Sequence, residues 1–305
     1  KMASSDDNNA ASSRPQPRFK AALIDLSGTV HISDKPIEGA VQAIERLRSC
    51  GIPFKFLTNT TKISSSTLAS QLDDMGLKLA SDSIITSTKA ARNYLISRSL
   101  RPLCLIEEEL IDDLEGIELG DANTGNCVLV GLSPTSFCYE RMNAAFRIIY
   151  RLLNENTSAK TNASCSGSSP LIAIHRAKYY RDSDHQLSLG PGPFVTALES
   201  ATGVKAHVVG KPSSLFFQSA LDGLVDKDGE VIRTEDVVMI GDDIEQDIGG
   251  SLRAGLGGAI LVRTGKYVDN DECRDVDLPA DARQRIKVAD SIVKAVDYIL
   301  GSCDL

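Results

Sequence analysis

What is scarce narrows the field first. Basic residues are outnumbered: 33 Lys and Arg stand against 41 Asp and Glu, a formal net charge of −8. That balance argues against a nucleic acid or an anionic membrane as partner, because both need basic surface. Long apolar runs are missing, and nothing approaches the roughly 18 uninterrupted apolar residues of a membrane span. The first 20 residues lack the apolar middle of a secretory signal, and Lys1 ahead of Met2 reads as a cloning remnant. Histidine is limited to four scattered positions, His31, His175, His185 and His207, which argues against a zinc site. The seven cysteines are odd in number and none lies in a C-x-x-C pair. Dispersed thiols in a chain of this length fit a reducing compartment, so a cytoplasmic protein with buried cysteines is expected. In that setting the Asn-x-Ser/Thr triplets at Asn59, Asn156 and Asn162 carry no meaning.

What is present is an ordinary globular composition, 42% hydrophobic and 24% charged over 305 residues, enough for one large domain or two modest ones. Residues 1–18 are rich in Ser, Ala, Asn, Asp and Pro and bury too little apolar surface to offset the entropy of ordering, so a disordered tail is expected. Residues 154–169 are polar and Ser-rich and read as a flexible surface insertion. Elsewhere short apolar runs alternate with helical periodicity. Residues 22–26 read as a buried parallel strand, followed by a helix with Ile37, Val41, Ile44 and Leu47 on one face and Gly51 as its stop. Residues 54–57, 84–85, 128–130, 171–174, 208–209, 237–240 and 259–262 read as further strands. Helices are expected around 89–98 and 139–153, and residues 286–300 have helical spacing. This alternation predicts an α/β protein with a mostly parallel sheet and no internal repeat.

In open α/β sheets, ligands bind beyond the carboxyl ends of the strands. Four such ends carry suggestive residues: Asp25-Leu26-Ser27-Gly28-Thr29, then Thr58-Asn59, then Lys211 after Gly210, then Asp242-Asp243 with Asp247 beyond. Singly, each has a plain structural reading as a turn, a helix cap or a solvated charge. Together, in this order and each after an apolar run, they describe a phosphoryl-transfer site. Asp25 and Asp242 can hold one hard cation such as Mg²⁺, which takes oxygen ligands. A carboxylate is a competent covalent nucleophile through an aspartyl-phosphate. Donors must meet the three equatorial oxygens of the transferring group, and Thr58, the N–H groups around Gly28 and the Lys211 ammonium suit that task.

The same four segments resemble the motifs of the haloacid dehalogenase superfamily. The residues 25–31, 171–175, 190–198 and 264–267 resemble one branch of it, and the likeness runs from about Lys20 to the C-terminus. The resemblance implies a Rossmann-like parallel-sheet core with an inserted α/β cap domain: core residues 19–87, cap residues 88–204, core residues 205–305. It implies Asp25 as nucleophile and metal ligand, the main-chain carbonyl of Ser27 and the carboxylate of Asp242 as further ligands of Mg²⁺, and Thr58, Asn59 and Lys211 around the phosphoryl group of a small phosphorylated substrate. Asp243 and Asp247 would hold metal-bound waters or orient the lysine. A cap loop with His175, Tyr179 and Tyr180 would contact the substrate, and a homodimer through the cap is left open.

One departure from the family pattern stands out. Most of its phosphatases place a second aspartate two residues after the nucleophile, to protonate the leaving group and then activate water. Here Ser27 occupies that position, as it does in the resembling branch. A hydroxyl cannot replace a carboxylate near neutral pH, and loss of such a group costs on the order of 10²–10⁴ in rate. Slow turnover and a preference for good leaving groups, such as pyrophosphate, aryl phosphates and P–N compounds, are therefore expected. His31 is a substitute base by proximity, though a turn role suits it better. Two rivals remain: a regulatory or binding module on a phosphatase fold, which Ser27 favours, and a metal-free dehalogenase, which the paired Asp242 and Asp243 disfavour.

Overall fold

The computed structural model describes residues 18–79, 83–158, 169–181 and 186–305. Most of the expected tail and of the expected insertion lies outside these residues. Arg18 is described, and its N–H donates to the Ile299 carbonyl at 2.8 Å. The helix Tyr139–Ser158 runs into the stretch expected to be a loop, because Ala145, Ile148 and Ile149 bury one stripe while Leu152 and Leu153 continue it.

The larger sheet is six-stranded and wholly parallel. From edge to edge its strands are Ile286–Ala289, Gly258–Val262, Val237–Gly241, Ala21–Asp25, Phe54–Thr58 and Ile84–Thr86. Its strands are near-continuous apolar runs because both faces are covered. Successive side chains alternate between faces. Ala22, Ile24, Phe56, Val238 and Ile240 pack with the helices Ala40–Ser49, Ser65–Asp74 and Ile292–Ile299. Ala21, Leu23, Leu57, Val237 and Met239 pack on the other side with Ser214–Leu221 and Gly250–Arg253. Each fully buried Leu, Ile or Phe side chain contributes roughly 1.5–3 kcal/mol.

A second, four-stranded parallel sheet is inserted into the chain between the Ile84–Thr86 and Val237–Gly241 strands. Its order is His207–Val208, Leu171–Ala173, Cys127–Val130, Pro102–Leu105. Helix Ser87–Ser97 lies on one face, through Ala91, Tyr94 and Leu95. Helices Tyr139–Ser158 and Gly192–Thr202 cover the other. Cys104 and Cys127 are buried here, and burial pushes both thiols up to about 12, so they are inert packing groups. Cys50, Cys138, Cys273 and Cys303 are also unpaired. Among the described residues no helix is long and apolar enough to cross a membrane.

Two sequence expectations change. Residues 286–300 are not one helix: Ile286–Ala289 completes the larger sheet beside Gly258–Val262, and the helix starts only at Ile292, after Asp290-Ser291. The 208–209 run belongs to the smaller sheet, so the smaller sheet extends past residue 204, where the inserted unit was expected to end, and Lys211 follows a strand of that sheet rather than of the core.

Candidate active site

Asp25 closes a strand whose residues Ala21 to Ile24 are fully buried. Its parallel neighbour pairs Ile24 with Ile240, so Asp25 and Asp242 leave the sheet side by side at the carboxyl edge. Beyond Asp242 the chain winds into a π-helical turn, Ile244–Gly249, whose N-cap is Asp243: its Oδ1 accepts from the N–H groups of Glu245 and Gln246, both at 3.0 Å, and its Oδ2 accepts from Gln246 Nε2 at 3.0 Å. This turn carries Asp247 back over the strand end. The approach is close enough that a Cβ on Gly241 would lie 2.4 Å from the Asp247 Cβ.

The ammonium of Lys211 enters the same space. It donates to Asp25 Oδ1, contacts Asp247 Oδ1 at 2.7 Å, and reaches the Leu57 carbonyl at 3.4 Å. Thr29 Oγ1 donates to the other Asp25 oxygen at 3.3 Å. Asp25, Asp242 and Asp247 bring one carboxylate oxygen each to within 4.8 Å of one another, and all three residues are buried.

Asn59, expected among the substrate contacts, is engaged otherwise. Its Oδ1 accepts the Lys211 N–H at 3.0 Å, and its Nδ2 donates to the Lys211 carbonyl and to Gln246 Oε1, both at 2.9 Å. Asn59 therefore ties together the segments that carry Lys211 and Asp247. Thr58 ends its strand and is 2% exposed, and its Oγ1 accepts the Thr60 N–H at 3.1 Å. Ser27 is exposed beyond the end of the Asp25 strand. His31 is buried, with Nδ1–H donating to the Ser33 carbonyl at 2.8 Å, as a turn-closing residue does.

Of the residues expected from the inserted unit, His175 comes closest to the core. Its Nδ1 accepts the Ala177 N–H at 3.3 Å, so its Nε2 carries the proton and donates to Thr61 Oγ1 at 3.1 Å. Burial, with Lys266 and Lys211 adding, lowers this imidazole to about 4, so it is neutral. Tyr179 stands 61% exposed on the hairpin Tyr179–Arg181/Leu187–Leu189, and the ring of Tyr180 lies 4.1 Å from the Lys62 ammonium.

Asp242 is held by a loop to which no role was assigned from sequence. Its Oδ2 accepts the Lys266 N–H at 2.7 Å, and the Thr264 hydroxyl donates to the Gly28 carbonyl. Gly28 and Gly265 have φ of +91° and +60°, and a Cβ on either would fall 2.0 Å from Asp242 Oδ2. Glycine is required at both positions, for the backbone conformation and for the space. The 264–267 stretch was noticed for its resemblance only, since nothing local in a Thr-Gly-Lys string says which carboxylate it will meet.

The electrostatics follow from this crowding. Burial raises the Asp242 carboxyl well above the usual range, and Asp25 and Asp247 add to it. Burial also pushes Asp247 up to about 7, Lys211 opposing, Asp25 and Asp243 adding. Lys211 is raised: desolvation pulls it down, but Asp247 and Asp25 outweigh that. Two ionised carboxylates this close repel by about 3 kcal/mol at an effective dielectric constant of about 20. One buried ammonium cannot offset three of them. An oxygen-only set with surplus negative charge, cradled by two glycines, fits a hard divalent cation.

A haloacid dehalogenase-like hydrolase family model matches residues 22–120, and a HAD-hydrolase-like model matches residues 208–295. Over 282 residues the chain is 42% identical to bovine (Bos taurus) haloacid dehalogenase-like hydrolase domain-containing protein 2, covering 92% of this chain and 96% of that one. The chain belongs to the haloacid dehalogenase-like hydrolases. Within them it is also 34% identical to the phospholysine phosphohistidine inorganic pyrophosphate phosphatase of Xenopus laevis, covering 93% of this chain and 96% of that one. Among solved structures, the p-nitrophenyl phosphatase of Archaeoglobus fulgidus superposes with a TM-score of 0.74 at 25% identity, covering 92% of this chain and 100% of that one. This haloacid dehalogenase-like chain is a hydrolase of the phosphatase type, with a parallel-sheet core and an inserted α/β cap.

Proposed function

We propose that the chain is a Mg²⁺-dependent phosphohydrolase acting through an aspartyl-phosphate on Asp25, with small phosphorylated compounds of good leaving group as substrates. The observation that carries this reading is the buried group of Asp25, Asp242 and Asp247 closed by Lys211 at the carboxyl edge of the larger sheet. Asp25 Oδ attacks phosphorus as the bond to the leaving group breaks, the electron pair departing with that group. Lys211 and the Thr58 hydroxyl neutralise and orient the equatorial oxygens, and Asn59 fixes the Lys211 backbone that aims the ammonium. Asp25 and Asp242, with the Ser27 carbonyl, would hold Mg²⁺, which supplies charge neutralisation and alignment of the phosphoryl group. Asp247 orients Lys211. Water then cleaves the aspartyl-phosphate, returning the carboxylate.

The unit built on the smaller sheet acts as the cap, spanning about residues 88–204 and its last strand, His207–Val208. His175 is its contact with the Thr61 loop, and the exposed Tyr179 meets the substrate. The names of the relatives, which include a pyrophosphate, P–N and aryl phosphatase, agree with the leaving-group bias that Ser27 imposes. The rival reading, a binding module, also rests on Ser27, and one assay separates the two. Phosphate release is measured from pyrophosphate, p-nitrophenyl phosphate and a simple alkyl phosphate, with Mg²⁺ and with EDTA. Release that EDTA abolishes is expected, with the first two substrates ahead of the alkyl ester by on the order of 10²-fold. No release from any substrate while Mg²⁺ still binds would favour the binding module, and EDTA-resistant release would remove the metal from the account.

A further inference from the structure

Charges around the site are distributed in a way that singles out Lys266. Lys211 is 3% exposed and lies inside the site against Asp25 and Asp247, where it serves the transferring phosphoryl group. The ammonium of Lys62 lies over the Tyr180 ring, and Arg176 forks onto Glu199 with both contacts at 2.8 Å. Lys266 differs. Its backbone N–H is bound to Asp242, which anchors it at the mouth of the carboxylate group, while its side chain is 60% exposed. Among the described residues the nearest ion-pair partner of its ammonium is Asp243 Oδ2 at 3.6 Å, outside hydrogen-bond distance. Asp243 does not need that contact, since its carboxylate already accepts from Glu245, Gln246 and the Gln246 side chain. The side chain is thus an exposed ammonium whose own backbone is bonded to a carboxylate of the site.

We infer that Lys266 is a specificity-determining residue that binds a second anionic group of the substrate and selects diphosphate-type compounds, of which pyrophosphate is the simplest. The assignment rests on the phosphohydrolase reading above and gives the substrate class for it. It also answers the missing acid at Ser27. When Asp25 attacks one phosphorus, the bridging P–O bond breaks and its electron pair leaves with the second phosphate. No proton has to be delivered to that oxygen, because the Lys266 ammonium stabilises the anion as it forms. A neutral alcohol leaving group offers Lys266 no charge before the bond breaks, and pays it no comparable return.

The test is the ratio of kcat/KM for pyrophosphate to that for p-nitrophenyl phosphate, in the wild-type chain, Lys266→Met and Lys266→Arg, with Mg²⁺ present. Neither substitution alters the backbone N–H that holds Asp242. Loss of a charge-assisted contact predicts that the ratio falls about tenfold or more in Lys266→Met. The fall is expected to lie mainly in pyrophosphate, and Lys266→Arg is expected to recover most of it. Equal losses on both substrates, leaving the ratio unchanged, would overturn the assignment and make Lys266 a support for the Asp242 loop. A wild-type chain that releases phosphate from neither substrate would overturn the phosphohydrolase reading itself, so the two failures are distinguishable.

Discussion

Asp25→Asn lowers Mg²⁺-dependent phosphate release by on the order of 10⁴-fold or more, the scale of losing a covalent nucleophile. The amide has the shape of the carboxylate but no anionic lone pair with which to attack phosphorus. Its effect on folding is small by comparison. The backbone of strand Ala21–Asp25 is unchanged, Lys211 keeps Asp247 at 2.7 Å, and Asp242 loses one of the two carboxylates that repel it. The measurement is phosphate release alongside a circular dichroism melt of the same sample. Activity retained within tenfold, in a cooperatively folded variant, would remove Asp25 as nucleophile.

Ser27→Asp accelerates hydrolysis of alkyl phosphates by on the order of 10² or more, the contribution of a positioned general acid and base. The substituted position lies two residues beyond Asp25, in the loop whose Gly28 carbonyl is held by Thr264, so the chain path is already set. Ser27 is exposed, which lets a new carboxylate stay hydrated and avoids the desolvation that burdens Asp242 and Asp247. Pyrophosphate gains less, because its leaving group departs without a proton. Steady-state rates on both substrates decide the matter. An unchanged alkyl phosphate rate, with pyrophosphate hydrolysis intact, would count against the leaving-group argument.

The parts of this molecule that are local in origin could be read from the sequence. A buried parallel strand is a short apolar run, so the strands ending at Asp25, Thr58 and Gly241 were visible, and with them the acids and the threonine at their ends. What pairing decides was not visible. Residues 286–300 have a helical period, yet Ile286–Ala289 finds a sheet edge to complete. The strand before Lys211 looked like a core strand, but it pairs with Leu171–Ala173 in the smaller sheet. The hydrogen bonds of Asn59 and Lys266 reach segments distant in sequence, at Lys211 and Asp242, so no spacing rule could find them. His175 was picked out for the cap loop, while its bond to Thr61 is a tertiary fact.

The most direct test of the central claim is an acid quench of the wild-type chain during turnover of pyrophosphate with Mg²⁺, followed by peptide mass spectrometry. Without a carboxylate at position 27 to activate water, dephosphorylation is expected to be slow relative to attack and the intermediate to accumulate. A phosphoryl group is expected on the peptide that contains Asp25, lost on treatment with hydroxylamine and absent in Asp25→Asn. Active enzyme with no phosphorylated peptide, or with phosphate on any residue other than Asp25, would contradict it.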